Sequence, residues 1–210
     1  MGDLPSLPKG TTLHSYECLD STNSEALRLI ASDDAGEGTV VVADRQTAGR
    51  GRRDAVWESP TGNLYLSIVT KVPSQHIAGQ IAYVASLAAY DVVVAYAGTS
   101  AEISCKWPND LLLNGKKLSG ILIEALNDFS VVGIGINLST SPSALADKAI
   151  SLADIGLSVG RSDMVSGLIH SFDHWVRTWR TSGFLAIRGR WLDVAHGIGD
   201  PIIARFPDGC

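Results

Sequence analysis

Two turn signals in the middle of the chain constrain its fold more than any other feature. Asn114-Gly115 lies between Leu111-Leu112-Leu113 and the segment from Lys116 onward. Asn127-Asp128 lies between the apolar runs Ile121–Leu126 and Phe129–Leu138. A two-residue Asn-Gly loop between such runs is a strong signal of a β-hairpin, because both residues tolerate the positive φ angles of that turn. The region from Glu102 to Leu138 is therefore predicted to be a β-meander.

Helical patterns lie on either side of this meander. Ala, Ile, Val and Leu dominate residues 75–97, and the length of that run predicts a largely buried helix that Gly98 closes. Two further helices, each with one apolar face, are expected at 162–181 and 184–195. Hairpin-connected strands with helices packed on one face indicate an α+β domain, here with a mixed, mainly antiparallel sheet.

The N-terminal part supplies another helix and two more strands. The pattern Thr22-x-x-Glu25 is typical of a capping box and predicts a helix that opens at Ser24. The β-branched run from Thr39 to Ala43 indicates a buried strand. Alternation of apolar residues from Leu64 onward indicates another.

The segment between these two strands has the most specific chemistry. Gln46-Thr47-Ala48-Gly49-Arg50-Gly51-Arg52-Arg53 opens a loop, residues 47–56, that we call the arginine loop. Glycine lets the backbone approach an anion closely, and arginine supplies planar forks that bind oxygens in pairs. Residue chemistry alone leaves three alternatives for the loop. It could bind a small anion, form an exposed basic turn, or contact the phosphates of a nucleic acid.

Charge distribution favours the small anion. The chain of 210 residues, long enough for one substantial core, has a net charge of −5. Its basic residues concentrate at 45–53 and 106–117. Local positive charge in an acidic protein suits a compact anionic ligand better than a polyanion, so no nucleic-acid partner is expected.

Other composition features point to an ordinary cytoplasmic protein. The N-terminus lacks the regions of a secretory signal, and no apolar run reaches the ~20 residues of a membrane span, so no membrane partner is expected. Cys18, Cys105 and Cys210 lie far apart and are expected to be reduced thiols. His170 and His174 have a spacing that could chelate zinc, but without a third ligand we expect packed or surface histidines and no metal held by side chains.

Three other segments accompany the arginine loop in a fixed order along the chain. They are Asp20-Ser21-Thr22-Asn23 upstream, then Lys106-Trp107-Pro108-Asn109-Asp110 with Lys116-Lys117-Leu118-Ser119-Gly120-Ile121-Leu122, and finally Gly133-Ile134-Gly135-Ile136-Asn137-Leu138. In order and spacing these segments resemble the biotin–protein ligases, from about Tyr16 to about Ile203. The resemblance implies the fold of class II aminoacyl-tRNA synthetases and biotin ligases.

The same resemblance implies an ATP-dependent enzyme. Such a ligase converts biotin and ATP, with Mg²⁺ on the phosphates, to biotinyl-5'-AMP, and then transfers biotin to a lysine of a biotin carboxyl carrier domain of a carboxylase. The biotin carboxylate must approach an already negative phosphate. Cations that screen this repulsion lower the barrier, and Arg50, Arg52 and Lys117 match the positions that supply them.

Individual roles follow from the matching positions. The resemblance implies biotin contacts at Ser21, Thr22, Asn23, Gln46, Gly49, Arg50, Arg52, Lys117 and Gly120. It implies contacts with ATP or the adenylate at Arg52, Arg53, Trp57, Lys106, Asn109, Lys117 and Asn137. Thr22 is explained equally well by helix capping alone. Asp110 either orients the acceptor amine or binds Mg²⁺, and the sequence does not separate these roles.

Lys117 is favoured over its neighbour Lys116 on physical grounds as well. Adjacent residues of a strand point to opposite faces of the sheet, so only one of the two lysines can face the site. Family position selects Lys117, and a solvated strand residue is the expectation for Lys116.

The arginine loop departs from the family pattern at two positions. That pattern usually runs Gly-Arg-Gly-Arg-x-Gly-Arg/Lys-x-Trp, whereas this chain has Asp54 in place of the later glycine and Ala55 in place of the later cation. The change of about two charge units beside an anion predicts weaker retention of nucleotide and adenylate. Alternatively, Arg53 replaces the missing cation and leaves affinity unchanged.

Three segments are expected: a loose lead-in over 1–11, a catalytic domain over 12–196 and the start of an SH3-like barrel over 197–210. Too few residues precede Thr12 for a helix-turn-helix, so the expectation is the catalytic type without an N-terminal DNA-binding domain. The sequence does not decide between a monomer and a homodimer, although relatives often pair through sheet edges. Rival functions are lipoate or octanoate transfer, non-catalytic sequestration of biotin or its adenylate, and nucleic-acid binding.

Overall fold

A single mixed sheet organises the part of the chain that the computed structural model describes, residues 7–72, 75–98, 101–142, 145 and 147–201. Within these residues its strands are β1 (Thr12–Leu19), β2 (Thr39–Gln46), β3 (Leu64–Lys71), β4 (Ile103–Lys106), β5 (Asp110–Leu113), β6 (Lys116–Leu126) and β7 (Phe129–Ile136). Their spatial order is β1-β2-β3-β7-β6-β5-β4. The α-helices are α1 (Thr22–Ala31), α2 (Ile81–Ala97), α3 (Arg161–Ser182) and α4 (Phe184–Asp193).

The strand pairing confirms the predicted mixed, mainly antiparallel sheet. Only β1 and β2 pair in parallel, with α1 between them in the chain, and the other neighbouring pairs are antiparallel. Both predicted hairpins are present, with positive φ at Asn114, Gly115 and Asn127. Strand β1 has no clear apolar signal of its own, and its pairing with β2 determines its place.

Packing divides the molecule into two unequal layers. Helices α2, α3 and α4 cover one sheet face, where Leu64, Leu66 and Ile68 of β3 join the large core. The short helix α1 packs against Val69 on the opposite face, and not on the single face expected for the helices. Because alternate strand residues face opposite ways, β3 is buried on both sides. The face with α1 is only partly covered by helix, which leaves room for a cavity.

The predicted helix over 75–97 consists of two elements. A 3-10 turn, Gln75–Gln80, precedes α2, and Gly98 closes the helix with a positive φ. By length and hydropathy alone, Ile77–Ala97 could cross a membrane, although no uninterrupted apolar run of that length occurs. In the fold, α2 is the central core helix, packed between the sheet and α3.

The predicted capping box at the start of α1 is wrong by one residue. The N-cap is Ser21, whose side chain accepts from the Ser24 N–H, and Thr22 is already helical. Thr22 instead directs its hydroxyl towards Gln46 on β2, and Glu25 accepts hydrogen bonds from Tyr16 and Arg28. A long-range partner therefore displaces the local capping pattern.

The predicted domain limits remain a prediction. Strand β1 begins at Thr12, and residues 194–196 add two backbone hydrogen bonds to Cys105 of β4. The expected barrel strand over 199–205 falls mostly outside the described residues, as do 1–6 and 202–210.

Candidate functional site

A cavity of about 510 Å³ lies on the sheet face that carries α1. Its floor is formed by β6 and β7, where Gly120, Gly133 and Gly135 lack side chains on the cavity side. Gly120 and Gly135 are direct partners in the β6–β7 register. Glycines at these positions open a hollow in an otherwise filled sheet face. The volume is in the range of small-molecule sites.

Most of the residues predicted for the site meet around this cavity. Those that line it are Ser21, Thr22, Asn23, Gln46, Arg50, Arg52, Arg53, Trp57, Asn109, Asp110, Lys117, Gly120 and Asn137. Gly49 and Lys106 are not among the lining residues: Gly49 is a buried residue of the arginine loop, and Lys106 is exposed at the end of β4. Their contacts with a ligand remain predictions.

The N-terminus of α1 and the end of β2 form a polar wall. Gln46 Oε1 accepts from the Thr22 N–H at 2.8 Å and lies 3.2 Å from Thr22 Oγ1. Gln46 Nε2 donates to Ser59 Oγ at 2.9 Å. These contacts fix the side-chain amide, and they explain why Thr22 lines the cavity without being the helix cap.

Three hydrogen bonds fix the side chain of Asn23. Its Nδ2 donates to Glu124 Oε2 at 2.8 Å and to the Leu122 carbonyl at 3.3 Å, and its Oδ1 lies 2.6 Å from Ser67 Oγ. The amide lies directly on β7, so a Cβ at Gly133 would collide with it. Gly133 is required here because Asn23 occupies the space of a side chain.

Lys117 faces the cavity as predicted, and Lys116 is not among the lining residues. The Nζ of Lys117 is 2.7 Å from Asp110 Oδ1, which joins β6 to the start of β5. It also lies 5.3 Å from the centre of the Trp57 ring. The proposed activating cation thus has an internal carboxylate as its partner in the ligand-free protein.

The arginine loop folds over one end of the cavity. Its ends are joined by an Arg50–Val56 bridge, and a 3-10 turn, Arg52–Asp54, forms its tip with Arg53 at φ 56°. Arg50 Nη2 is 2.8 Å from Glu124 Oε2, and Arg52 Nη1 donates to Asn109 Oδ1 at 3.2 Å. The side chain of Asp54 is outside the described part of the structure.

Trp57 covers the glycine floor. A Cβ built at Gly135 would lie 2.6 Å from the indole Nε1, and one at Gly120 would lie 2.9 Å from the ring edge. Within the described residues, the buried indole N–H has no hydrogen-bond partner. Trp57 therefore rests on the Gly120–Gly135 pair, where a flat or narrow ligand would also fit.

Three exposed apolar side chains border the cavity. Trp107, Val56 and Leu145 form an apolar rim, with 67%, 80% and 49% of their surfaces exposed. Behind this rim, the buried Asn137 donates from Nδ2 to the Ile150 carbonyl at 3.1 Å, and Asn109 Nδ2 donates to the Ile121 carbonyl at 2.7 Å. These amides hold the surrounding segments in place.

Several lining residues are missing from the sequence prediction. Gly133, Gly135 and Tyr65 line the main cavity, and Glu124 faces the arginine loop. Alternating glycines within an apolar strand could have indicated the floor, since glycine in a strand often marks a close approach. Burial raises the pKa of Tyr65 to about 12, so its hydroxyl stays protonated and donates to the Pro60 carbonyl at 2.7 Å.

Taken together, the site has a polar wall, a side-chain-free floor and a cationic end. Such a site suits a ligand with a neutral polar head, a slender apolar body and an anionic terminus. Among the described residues, no group of three or more His, Cys, Asp or Glu side chains converges on a metal position.

Comparison with known proteins agrees with this description. Residues 15–140 match the sequence model of the Biotin/lipoate A/B protein ligase family. The biotin–[acetyl-CoA-carboxylase] ligase of Paracoccus denitrificans is 38% identical over 198 residues, which cover 89% of this chain and 82% of that protein. The bifunctional ligase/repressor BirA of Bacillus subtilis is 37% identical, over 95% of this chain but only 64% of its own length.

The fold has solved counterparts as well. The biotin protein ligase of Aquifex aeolicus, in complex with biotin and ATP, superposes with a TM-score of 0.78 at 29% identity, covering 89% of this chain and 79% of that chain. The chain belongs to the Biotin/lipoate A/B protein ligase family.

Proposed function

We propose that this protein is a biotin–protein ligase that activates biotin with ATP and transfers it to a lysine of a biotin carboxyl carrier domain. The observation that carries the proposal is the meeting of Lys117, Arg50 and the Thr22–Gln46 wall around one cavity. Family membership and the biotin and ATP in the Aquifex relative's structure support it.

In the proposed pose, the ureido ring of biotin meets the polar wall of Ser21, Thr22 and Gln46. The valeryl tail crosses the Gly120–Gly135 floor in place of Trp57. The carboxylate then points towards Lys117, and the nucleotide lies beside Asn109 and Asn137. In this pose the neutral head, apolar tail and anion each meet a matching part of the cavity.

Activation joins the biotin carboxylate to the α-phosphorus of ATP. A carboxylate oxygen forms the new P–O bond, the bond to the β-phosphate oxygen breaks, and pyrophosphate leaves. Two anions must approach each other, so positive charge that strengthens its hold as the transition state forms lowers the barrier. Lys117 supplies this charge from the sheet, and Arg50 and Arg52 supply it from the loop.

Transfer follows when a neutral lysine amine of the acceptor attacks the carbonyl carbon of the mixed anhydride. An amide forms, AMP leaves, and the amine gives up a proton. Asp110 is the carboxylate that can orient this amine or accept the proton, because Lys117 leaves it when the adenylate binds. Positioning is the main contribution, since a nearby carboxylate also stabilises the charged amine.

Mg²⁺ fits this site as a companion of ATP. Mg²⁺ is commonly bound through one or two carboxylates together with substrate phosphates, and Asp110 is a carboxylate on the cavity wall. Bound there, Mg²⁺ would neutralise phosphate charge. The two proposed roles of Asp110, metal binding and amine positioning, are alternatives.

Lipoate or octanoate transfer is the nearest competing activity, because the family includes lipoate ligases. The polar wall favours biotin, since a fatty acyl chain has no polar head to satisfy Thr22 and Gln46. A non-catalytic binder of biotin is the other alternative. We place the protein in the cytoplasm, with the carrier domain as its protein partner; a homodimer is not required by this site.

Exchange of labelled pyrophosphate into ATP tests the proposal. Exchange that requires biotin, and that lipoate or octanoate does not support, is expected from a biotin-activating enzyme. A binder would retain biotin without exchange. Exchange supported by lipoate and not by biotin would refute the proposed substrate, and addition of a carrier domain then tests transfer.

A further inference from the structure

Glu124 on β6 links the arginine loop to helix α1. Its Oε2 lies 2.8 Å from Arg50 Nη2 in the arginine loop and 2.8 Å from Asn23 Nδ2 at the start of α1. Arg50 also lies 3.2 Å from Ser24 Oγ on the same helix. One carboxylate oxygen therefore joins a loop cation to the helix that forms the polar wall.

The side chain of Asn23 has no amide hydrogen left for a ligand in this arrangement. Its two amide hydrogens go to Leu122 and Glu124, and its amide oxygen accepts from Ser67. Its place against Gly133 leaves the amide no room to rotate. The side chain of Asn23 therefore links helix α1 to strands β3 and β6.

The charge of Glu124 strengthens this connection. The Arg50 and Glu124 side chains are 44% and 25% exposed, so the pair is partly shielded from water. A hydrogen bond between two charged groups is about twice as strong as a neutral one. Glutamine at position 124 would keep the shape and lose that advantage. Three arginines within four residues also repel each other, and a fixed carboxylate offsets that repulsion.

We propose that Glu124 is a positioning residue that holds the arginine loop over the cavity before any ligand binds. Its carboxylate aligns Arg50 with the Asn23 end of α1, so the loop closes at little further conformational cost when biotin enters. The biotin part of this inference rests on the proposed function, whereas the loop part concerns the ligand-free protein alone.

Limited trypsin digestion of the ligand-free protein tests the loop part. Glu124→Gln should speed cleavage after Arg52 and Arg53 by about tenfold, because the loop loses a charge-assisted contact. Glu17→Gln, a change of the same charge on exposed strand β1, is the matched control and should leave the rate unchanged. Cleavage of Glu124→Gln at the control rate would overturn the proposal.

A double-mutant comparison separates positioning from general damage to β6. In an Arg50→Gln background, Glu124→Gln should add little further acceleration, because both changes break the same contact. Fully additive acceleration would mean that Glu124 acts through the strand and not through Arg50. The measurement needs only folded protein, and the near-equal shapes of Glu and Gln favour folding of the variant.

Steady-state exchange kinetics test the biotin part. Glu124→Gln should raise the KM for biotin about tenfold and leave kcat within about twofold, since the bound ligand itself closes the loop. A lower KM would show that Glu124 competes with the ligand for Arg50 and would overturn the proposal. If Glu124→Gln is cleaved faster but the wild-type protein shows no biotin-dependent exchange, the proposed function is refuted. The role of Glu124 in positioning the loop is then still supported.

Discussion

The two halves of the cavity are built in different ways. The sheet half, with Lys117, Gly120 and Gly133, stands on β6 and β7. All of β7 pairs with β6 over Ser119–Leu126, and Lys117 pairs with Leu112 of β5. The arginine loop is exposed and is held by a few polar contacts, such as Arg50 with Glu124 and Arg52 with Asn109. The sheet half is therefore preformed, while the position of the loop depends on charge.

This difference predicts where mutations act. Changes in the sheet half should disturb both the catalytic geometry and the binding of the biotin ring. They should therefore cause large losses of activity. Changes in the loop half should alter how often the cavity is closed, and hence affinity more than turnover.

The largest effect is expected at Lys117. Lys117→Ala removes a positive charge aimed at the contact between carboxylate and phosphate, so biotin-dependent exchange should fall by roughly 10²–10³ with the fold intact. Lys116→Ala is the matched control, because its residue lies outside the cavity lining. Equal losses in the two variants would contradict the assignment.

A smaller but substantial effect is expected at the floor. Gly133→Ala forces Asn23 to move and should destabilise the protein by about 1–3 kcal/mol, while the KM for biotin increases. Gly189→Ala in α4, where a Cβ meets nothing within 4 Å, should be neutral or stabilising. Chemical denaturation measures both variants. A Gly133→Ala protein as stable as wild type would show that the floor tolerates a side chain.

The loop departures should have a moderate effect on affinity. Asp54→Gly combined with Ala55→Arg restores about two positive charge units near the adenylate, so an adenylate analogue should bind about tenfold more tightly after allowance for salt screening. Calorimetry measures the change. Unchanged affinity would favour the alternative in which Arg53, already on the cavity wall, provides the missing cation.

Ligand should also protect the loop from protease. Three arginines lie within the arginine loop, and biotin with ATP should slow trypsin cleavage there severalfold as an anion neutralises their charge. Biotin alone should protect less. Cleavage that is the same with and without both ligands would contradict the closing role of the loop.

The smallest effect concerns the helix that carries the polar wall. The hydrogen bonds from Arg28 lower the pKa of Asp20 to about 2. The stabilisation of the folded protein by this pair is therefore complete at pH values above the unfolded pKa of Asp20, near 3.8, and is lost as the pH falls through about 2. Both side chains are about half exposed, which limits the contribution to below about 1 kcal/mol. Acid unfolding of Asp20→Asn, with the exposed turn variant Asp128→Asn as control, measures it. A larger loss for the control would contradict the assignment.

Local sequence signals predicted the sheet half well. The Asn114-Gly115 turn identified the meander, and strand alternation showed that only one of Lys116 and Lys117 can face the cavity, because these rules act over a few residues. Family position selected Lys117. Family resemblance supplied the roles of the loop residues. It did not identify Glu124, whose partner Arg50 is 74 residues away in the chain.

Errors arose where a distant contact overrides a local pattern. Thr22 fits a capping box, yet its hydroxyl hydrogen-bonds Gln46 on β2, and Ser21 is the N-cap instead. Strand β1 is recognisable only through its pairing with β2. Such contacts depend on the assembled sheet and cannot be read from neighbouring residues.

The most direct test of the central claim is a crystal structure of the protein with a non-hydrolysable analogue of biotinyl-AMP. We expect the ureido ring to lie against Thr22 and Gln46, with Lys117 released from Asp110 and in contact with the acyl-phosphate linkage. We also expect Arg50 to close over the linkage. A ligand bound in the opposite direction, or one that leaves the Lys117–Asp110 contact unchanged, would contradict the proposed pose.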